Sequence, residues 1–415
     1  MSVSNSRQLS EINLADIDSF ADGPPHWAFR LLRKEAPVSW QEVPDFLGHW
    51  AIVKHADVVR VSKDPQTFTS EKGILVESDH KNPPPDQELA VVKDMIETDP
   101  PRHNRIRALV NREFTPKQIA ALEPEIRFHV DELLDAVDTS GDFVEDVASQ
   151  LPMRVICQLM GVPVEDRAHL IDLFNWSFGS DDPEFQVEGL SAIENRIKFY
   201  EEMIAYLEAH LTRQRERLDS GDVGSMLASA EIDGDRLSDE EILAFYHLLL
   251  AAGSETTRTG AAGGVKAFFD YPDQWARLQA DRSLIDTAVD EILRWTSPIM
   301  GFSRVANVDT VVGGQPIAAG DKLHLWYASA NRDEEVFEQS ESFDVGRSPN
   351  NHLAFGVGTH FCLGSSLARL ELRLLFEGLL DRFPGLEPAG EAEHLRNLLT
   401  PALKRLPVTY VPNGG

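Results

Sequence analysis

Two short stretches of this 415-residue chain carry side chains whose types and spacing could do chemistry. In the first, Phe355-Gly356-Val357-Gly358-Thr359-His360-Phe361-Cys362-Leu363-Gly364, glycine-rich text leads into a helix, with a cysteine where the helix begins. It is not a dinucleotide fingerprint, because Phe361 stands where the third glycine of G-x-G-x-x-G would be. One thiolate and one nearby histidine leave half of a structural zinc site unfilled, and the other cysteine, Cys157, has no CxxC partner. His360, two residues from Cys362 and without a supporting acid, is a poor activator of a cysteine nucleophile. What is left is a single thiolate presented by a tight loop of small residues. A helix N-terminus lowers a thiol's pKa and the glycines leave room for a flat, bulky group, which is what a cysteinate haem ligand requires.

The second stretch is Gly253-Ser254-Glu255-Thr256-Thr257, set inside the apolar run Leu248 to Ala252. A carboxylate and hydroxyls in the middle of a buried helix are costly unless they have partners or a task. Two readings are open. Glu255 pairs with Arg258 at i,i+3 on an exposed face while the threonines bond back to the helix, or Glu255 and Thr256 handle protons beside a ligand. Gly253 weakens the helix but lets something approach its backbone.

The elements that must hold these residues are mostly helices. Apolar residues recur at three- and four-residue spacing over 117–137, 190–218, 238–270, 283–295 and 363–382. Ser238 followed by Glu241 is a capping box, and a helix from there to Asp270 would be about 45 Å long. Strand patterns are confined to Val38–Val53 and Arg304–Ala328, which suggest small antiparallel hairpins. Lys72–Pro101 and Gly179–Gly189 look like long loops, either access gates or mobile surface segments, and residues 1–20 look poorly ordered.

Composition narrows the class. Asp+Glu 68 against Lys+Arg 39 gives a formal charge of −29, which argues against a general nucleic-acid binder. Two cysteines do not make a disulfide framework, and the N-terminal text has neither signal-peptide nor anchor pattern, so a cytoplasmic protein without a membrane anchor is expected. No repeat or flexible linker divides the chain.

The run FGVGTHFCLG resembles the haem-binding signature of the cytochrome P450 monooxygenases at Phe355, Gly356, Gly358, Cys362 and Gly364, with His360 where many members have Arg. AGSETT at 252–257 resembles that family's oxygen-activation motif, and Glu291 with Arg294 resembles its Glu-x-x-Arg pair. DPPRHNRIR and ANRDEEVF with FDVGR extend the resemblance over nearly the whole chain. It implies a mainly α fold: one P450-type domain over 1–415 with small antiparallel sheets, holding haem b between the central helix and the cysteine loop.

The resemblance also implies roles. Cys362 is the axial thiolate and sole metal ligand; Thr256 is the distal alcohol beside dioxygen, and Glu255 the acid that relays protons to it. His103, Arg107, Arg304 and His360 are partners of the haem propionates, and Glu291–Arg294 is a structural pair. Leu248, Ala252, Met300 and Gly301 line a lipophilic substrate pocket, together with loops 72–101 and 176–195.

The basic residues Arg102, Arg105, Arg107, Arg112 and Lys117, with Arg369 and Arg373 beyond the cysteine, suggest docking of an acidic electron donor. That donor would be a separate ferredoxin or flavodoxin with its NAD(P)H reductase, and a monomer is expected. The substrate class suggested is a steroid, terpenoid or fatty-acid-like molecule. A peroxide-driven peroxygenase, a haem sensor without turnover and a haem-free cysteine hydrolase are the competing readings.

Overall fold

A computed structural model describes residues 8–43, 46–76, 93–190, 192–232 and 235–412. Its scaffold is helical. The helices that matter for the site are α1 (Arg102–Val110), α2 (Glu123–Ala136), α3 (Gln150–Leu159), α4 (Arg167–Phe178), α5 (Ala192–Arg215), α6 (Asp239–Asp270), α7 (Ile285–Thr296) and α8 (Ser365–Arg382). The expected helix over 117–137 is broken at Leu122, where Pro124 starts α2 and a short helix Pro116–Ala121 precedes it.

Helix α6 forms for the reasons its sequence offers. Ser238 Oγ accepts from Glu241 N and Glu241 Oε2 accepts from Ser238 N, closing the capping box. The helix stops before Pro272, which begins the next one. Small residues set how closely its neighbours approach. A Cβ on Gly253 would lie 2.8 Å from Ile156 of α3, and one on Gly264 2.7 Å from Phe376 of α8. What approaches the backbone at Gly253 is therefore a packing helix. Phe268 stacks edge-on against Trp275, Phe343 and Phe376, anchoring the far end.

Five strands form the largest sheet: β1 (Val38–Gln41), β2 (His49–Ile52), β3 (Phe68–Thr69), β4 (Gly301–Ala306) and β5 (Lys322–Trp326), in the order β1-β2-β5-β4-β3. The expected hairpins are thus two parts of one sheet. Its pairings are antiparallel except β2 with β5, which join distant parts of the chain in parallel. A tight hairpin, Thr310–Val312 with Gln315–Ile317, turns on Gly313-Gly314, and a C-terminal strand, β6 (Leu403–Arg405), pairs with Glu393–His394.

Two loop expectations are corrected. Residues 8–20 are packed: Leu14 and Phe20 are each 1% exposed, and Phe20 stacks on Trp326. Residues 1–7 and 77–92, the latter containing Pro83-Pro84-Pro85, lie outside the described residues. The loop after α4 is pinned rather than loose. Asp182 is buried and accepts from Glu184 N, Arg396 N and Lys404 Nζ, while Asn397 Nδ2 donates to Phe178 O. Arg405 bridges Glu184 and Glu393. Among the described residues no helix is long and apolar enough to cross a membrane.

Candidate active site

Cys362 sits at the end of a loop whose turns are set by its glycines. Gly356 (φ 64) and Gly358 (φ 83) adopt left-handed backbone, and Gly358 N-terminal to the cysteine passes so close to Ser62 that a Cβ would lie 2.6 Å from its carbonyl oxygen. Cys362 N donates to Phe355 O at 2.9 Å, which closes the loop on itself. Arg369, one turn into α8, lies over the Phe355 ring at 4.4 Å and is paired with Asp290 at 2.8 Å.

The loop hangs from a buried charge network. Arg294 donates to both oxygens of Glu291 at 2.7 Å, and both side chains are fully buried. Glu291 also accepts from Arg347 at 3.0 Å, from Asn350 at 3.2 Å and from Asp344 N at 2.8 Å. Arg294 then donates to Asn331 O, and Asn331 Oδ1 accepts from Leu353 N, the first residue of the cysteine loop, at 2.6 Å. Buried charges this well matched hold geometry rather than add stability.

The four residues expected near carboxylates converge. His103 and His360 stack edge to face with centroids 4.5 Å apart, and Arg107 Nη1 donates to Thr359 O. Arg304, His103 and Arg107 all act electrostatically on His360. Both histidines are held toward their neutral forms. Burial, helped by Arg304, His103 and Arg107, pushes His360 down to about 3, and burial likewise lowers His103. They offer N–H groups, and the charge comes from the two arginines. His103 Nε2 is buried with no partner, an orphan donor or acceptor that asks for a ligand.

Cys362 is half-buried. Burial pushes its thiol up, while the Gly364 N–H and the charges of Arg107 and Arg369 pull it down. Gly364 is the N-cap of α8, so the start of that helix supplies the largest of the influences that favour the thiolate, as expected.

On α6, Leu248 and Thr256 are half-buried and Ala252 is exposed, so one stripe of the helix at i,i+4 spacing is left partly open. Thr256 Oγ1 donates to Ala252 O at 2.8 Å. Glu255 is paired with Arg258 at 3.0 Å, as one sequence reading had it, but the pair is buried, not exposed. Burial raises the Glu255 pKa and Arg258 partly offsets this. Its Oε1 has no partner.

Two expected pocket residues do not face this space. Met300 is 1% exposed and packs with Phe20 and Trp326, and a Cβ on Gly301 would lie 2.5 Å from His324 Nε2. The flanking Ile299 and Phe302 are partly exposed instead.

A sequence profile of one family, cytochrome P450, matches residues 41–404. This chain belongs to the cytochrome P450 family. It is 38% identical to the methyl-branched lipid omega-hydroxylase of Mycobacterium tuberculosis over 97% of this chain and 95% of that one. It is 35% identical to the steroid C26-monooxygenase of Rhodococcus jostii over 97% and 85% of the two chains. A Mycobacterium marinum cytochrome P450 solved in complex with pseudoionone superposes with a TM-score of 0.90, at 35% identity, over 98% of this chain and 100% of that one.

The P450 family brings a haem-iron cofactor, and the residues present fit one. Cys362 on its glycine loop suits a thiolate ligand, and the unpartnered His103 nitrogen, clustered with His360, Arg107 and Arg304, suits carboxylate groups. In this P450 the sequence reading missed Asn331, Arg347 and Asn350. Asn331 and Arg347 lie in the ANRDEEVF and FDVGR text that was noticed, but without the fold nothing tied them to Glu291.

Proposed function

We propose that this P450 monooxygenase holds haem b on Cys362 and hydroxylates a C–H bond of an extended lipophilic molecule, a methyl-branched lipid or a steroid side chain. The observation that carries the reading is the half-buried Cys362 loop together with the partly exposed stripe Leu248, Ala252 and Thr256 on the central helix. The names of the relatives, a branched-lipid hydroxylase and a steroid side-chain monooxygenase, support the substrate class.

When bound, the haem supplies activation of dioxygen, with one oxygen atom going into the substrate and the other leaving as water. The protein does the rest. Arg107 and Arg304 bind the propionates by charge, and His103 and His360 by N–H donation. Leu248 and Ala252, with Ile299 and Phe302, exclude water and orient the substrate. Thr256 donates its hydroxyl proton on the pocket side, and Glu255, whose burial favours the protonated form, restores it. A peroxygenase would have no use for that pair.

Electrons come from a separate ferredoxin or flavodoxin with its NAD(P)H reductase, docked on the face behind Cys362. Arg105, Arg112 and Lys117 are exposed there, as is Phe361. Arg102, Arg112, Arg369 and Arg373 are engaged with Glu241, Glu113, Asp290 and Glu123, so the charge of the docking patch is more neutralised than its sequence suggested. The working form is a cytoplasmic, single-domain monomer.

A reduced, carbon monoxide-bound spectrum tests the ligand: a strongly red-shifted Soret band is expected, and its absence in folded, haem-loaded protein overturns the reading. Binding spectra with branched fatty acids and steroids test the substrate. Arg105→Glu with Arg112→Glu should weaken reductase-supported turnover while leaving peroxide-supported turnover unchanged; equal effects on both would move the docking site elsewhere.

A further inference from the structure

The partly open face of α6 is wider than the stripe of Leu248, Ala252 and Thr256. His247 and Ala251 are half-buried as well, whereas Tyr246, Leu249 and Leu250 beside them are buried. Residues 247 and 251 form one i,i+4 pair, 248 and 252 form another, and the i,i+3 neighbours 248 and 251 join the two rows into one face. His247 is thus a polar side chain toward one end of that face. Thr256 stands toward the other, nine residues and about 13.5 Å further along the axis.

The surroundings of the imidazole are apolar. Its ring centroid lies 6.3 Å from that of Phe174 on α4, and Phe174 continues to Phe178 at 6.4 Å. Among the described residues neither ring nitrogen has a hydrogen-bond or ion-pair partner. Burial alone lowers the pKa of His247, with no charged side chain contributing. The ring is therefore a neutral group, one nitrogen donating and the other accepting, beside an aromatic wall.

Such a group discriminates among polar ends of a ligand. It donates to a ketone and exchanges either kind of hydrogen bond with a hydroxyl. A carboxylate brought here would lose its water and meet no cation, which is costly. An apolar end would leave the ring nitrogens unpaired, and a site built around a hydrogen bond rejects the analogue that lacks it more strongly than a greasy pocket rejects one extra methylene.

We propose that His247 is a specificity-determining residue of the pocket, binding a neutral oxygen, a ketone or a hydroxyl, at the end of the substrate remote from the carbon presented to Thr256. The proposal rests on the substrate class given above and narrows it. A long skeleton oxygenated at one end and attacked at the other, as in a steroid with a side chain, is preferred to a lipid that ends in a carboxylate. The ring undergoes no chemistry; it holds the oxygen, and the length of α6 between His247 and Thr256 selects the carbon.

Spectral titration of the haem-loaded enzyme with two pairs of compounds reads this contact: cholestan-3-one against cholestane, and 15-methylhexadecan-1-ol against 15-methylhexadecanoic acid. The wild type should bind the ketone about tenfold more tightly than the hydrocarbon, and the alcohol more tightly than the acid. His247→Phe, which keeps a ring against Phe174, should remove the first difference by weakening the ketone alone, and should raise its KM more than it lowers kcat. His247→Gln, which keeps a donor and an acceptor, should restore most of the difference. His247→Leu repeats the test if the phenylalanine variant does not fold.

Equal weakening of ketone and hydrocarbon, with no rescue by His247→Gln, assigns the ring to packing and overturns the inference. Tighter binding of the acid than of the alcohol by the wild type overturns it too, without any variant. If none of the four compounds shifts the spectrum of the wild type, the substrate class itself falls, and the inference with it.

Discussion

On the cysteine side of the haem slot, polar groups are tied several times over. Glu291 satisfies two arginines, an asparagine and a backbone N–H, and Asn331 passes that order to Leu353 and so to the Cys362 loop. Across the slot, Glu255 on α6 has only Arg258 and the hydroxyl of Thr259 beside it, and Ala252 is exposed. Fully satisfied networks are stiff, while an unsatisfied group is free to change partners. The ligand is held where movement would be harmful, and the looseness lies where protons must move.

The largest effect should come from breaking the stiff side. Glu291→Ala leaves the buried Arg294 and Arg347 with backbone carbonyls but no carboxylate to balance their charge, at a cost of about 3–5 kcal/mol. Thermal unfolding and haem content would show it, and a small change in melting would mean that the network is redundant. Gly358→Ala attacks the same side through the backbone. Positive φ and the close Ser62 carbonyl should cost about 1–3 kcal/mol, measured by denaturant unfolding.

On the pliable side, Thr256→Ala should barely change stability but should divert electrons to peroxide about tenfold more often, roughly 1.4 kcal/mol in the partition. Oxygen, peroxide and product balances check it, and unchanged coupling would remove Thr256 from the chemistry.

Glu371 is the exception that sharpens the contrast: on α8, on the stiff side, its Oε2 is buried with no partner and burial pushes its pKa far up. The folded protein keeps a proton that the unfolded chain releases above about pH 4.3. Stability therefore falls as pH rises above that value, by up to about 1.4 kcal/mol per unit, until the folded pKa is reached. Glu371→Gln should match the wild type near the low end and exceed it at pH 8. Parallel stability curves would show that the acid is already ionised.

The legible parts of the sequence were local. The capping box at Ser238, the glycine turns before Cys362 and the i,i+3 pairs Glu255–Arg258 and Glu291–Arg294 each lie within a few residues, so spacing alone brings their partners together. Sequence reading failed where contact depends on distant chain. Nothing in Asp182 announces Lys404, nothing in Met300 says that its side chain meets Phe20, and the parallel pairing of β2 with β5 has no local signal. Nothing local in the sequence says that burial beside arginines lowers the pKa values of His103 and His360.

The clasp between the loop after α4 and the C-terminal hairpin bears on how the protein is made. Asp182, Glu184 and Phe178 are held by Arg396, Asn397, Lys404 and Arg405, and those four are synthesised after every other residue of the site. The cysteine loop therefore precedes in the chain the residues that pin the loop after α4, and that loop takes its final place only once the later segment has folded.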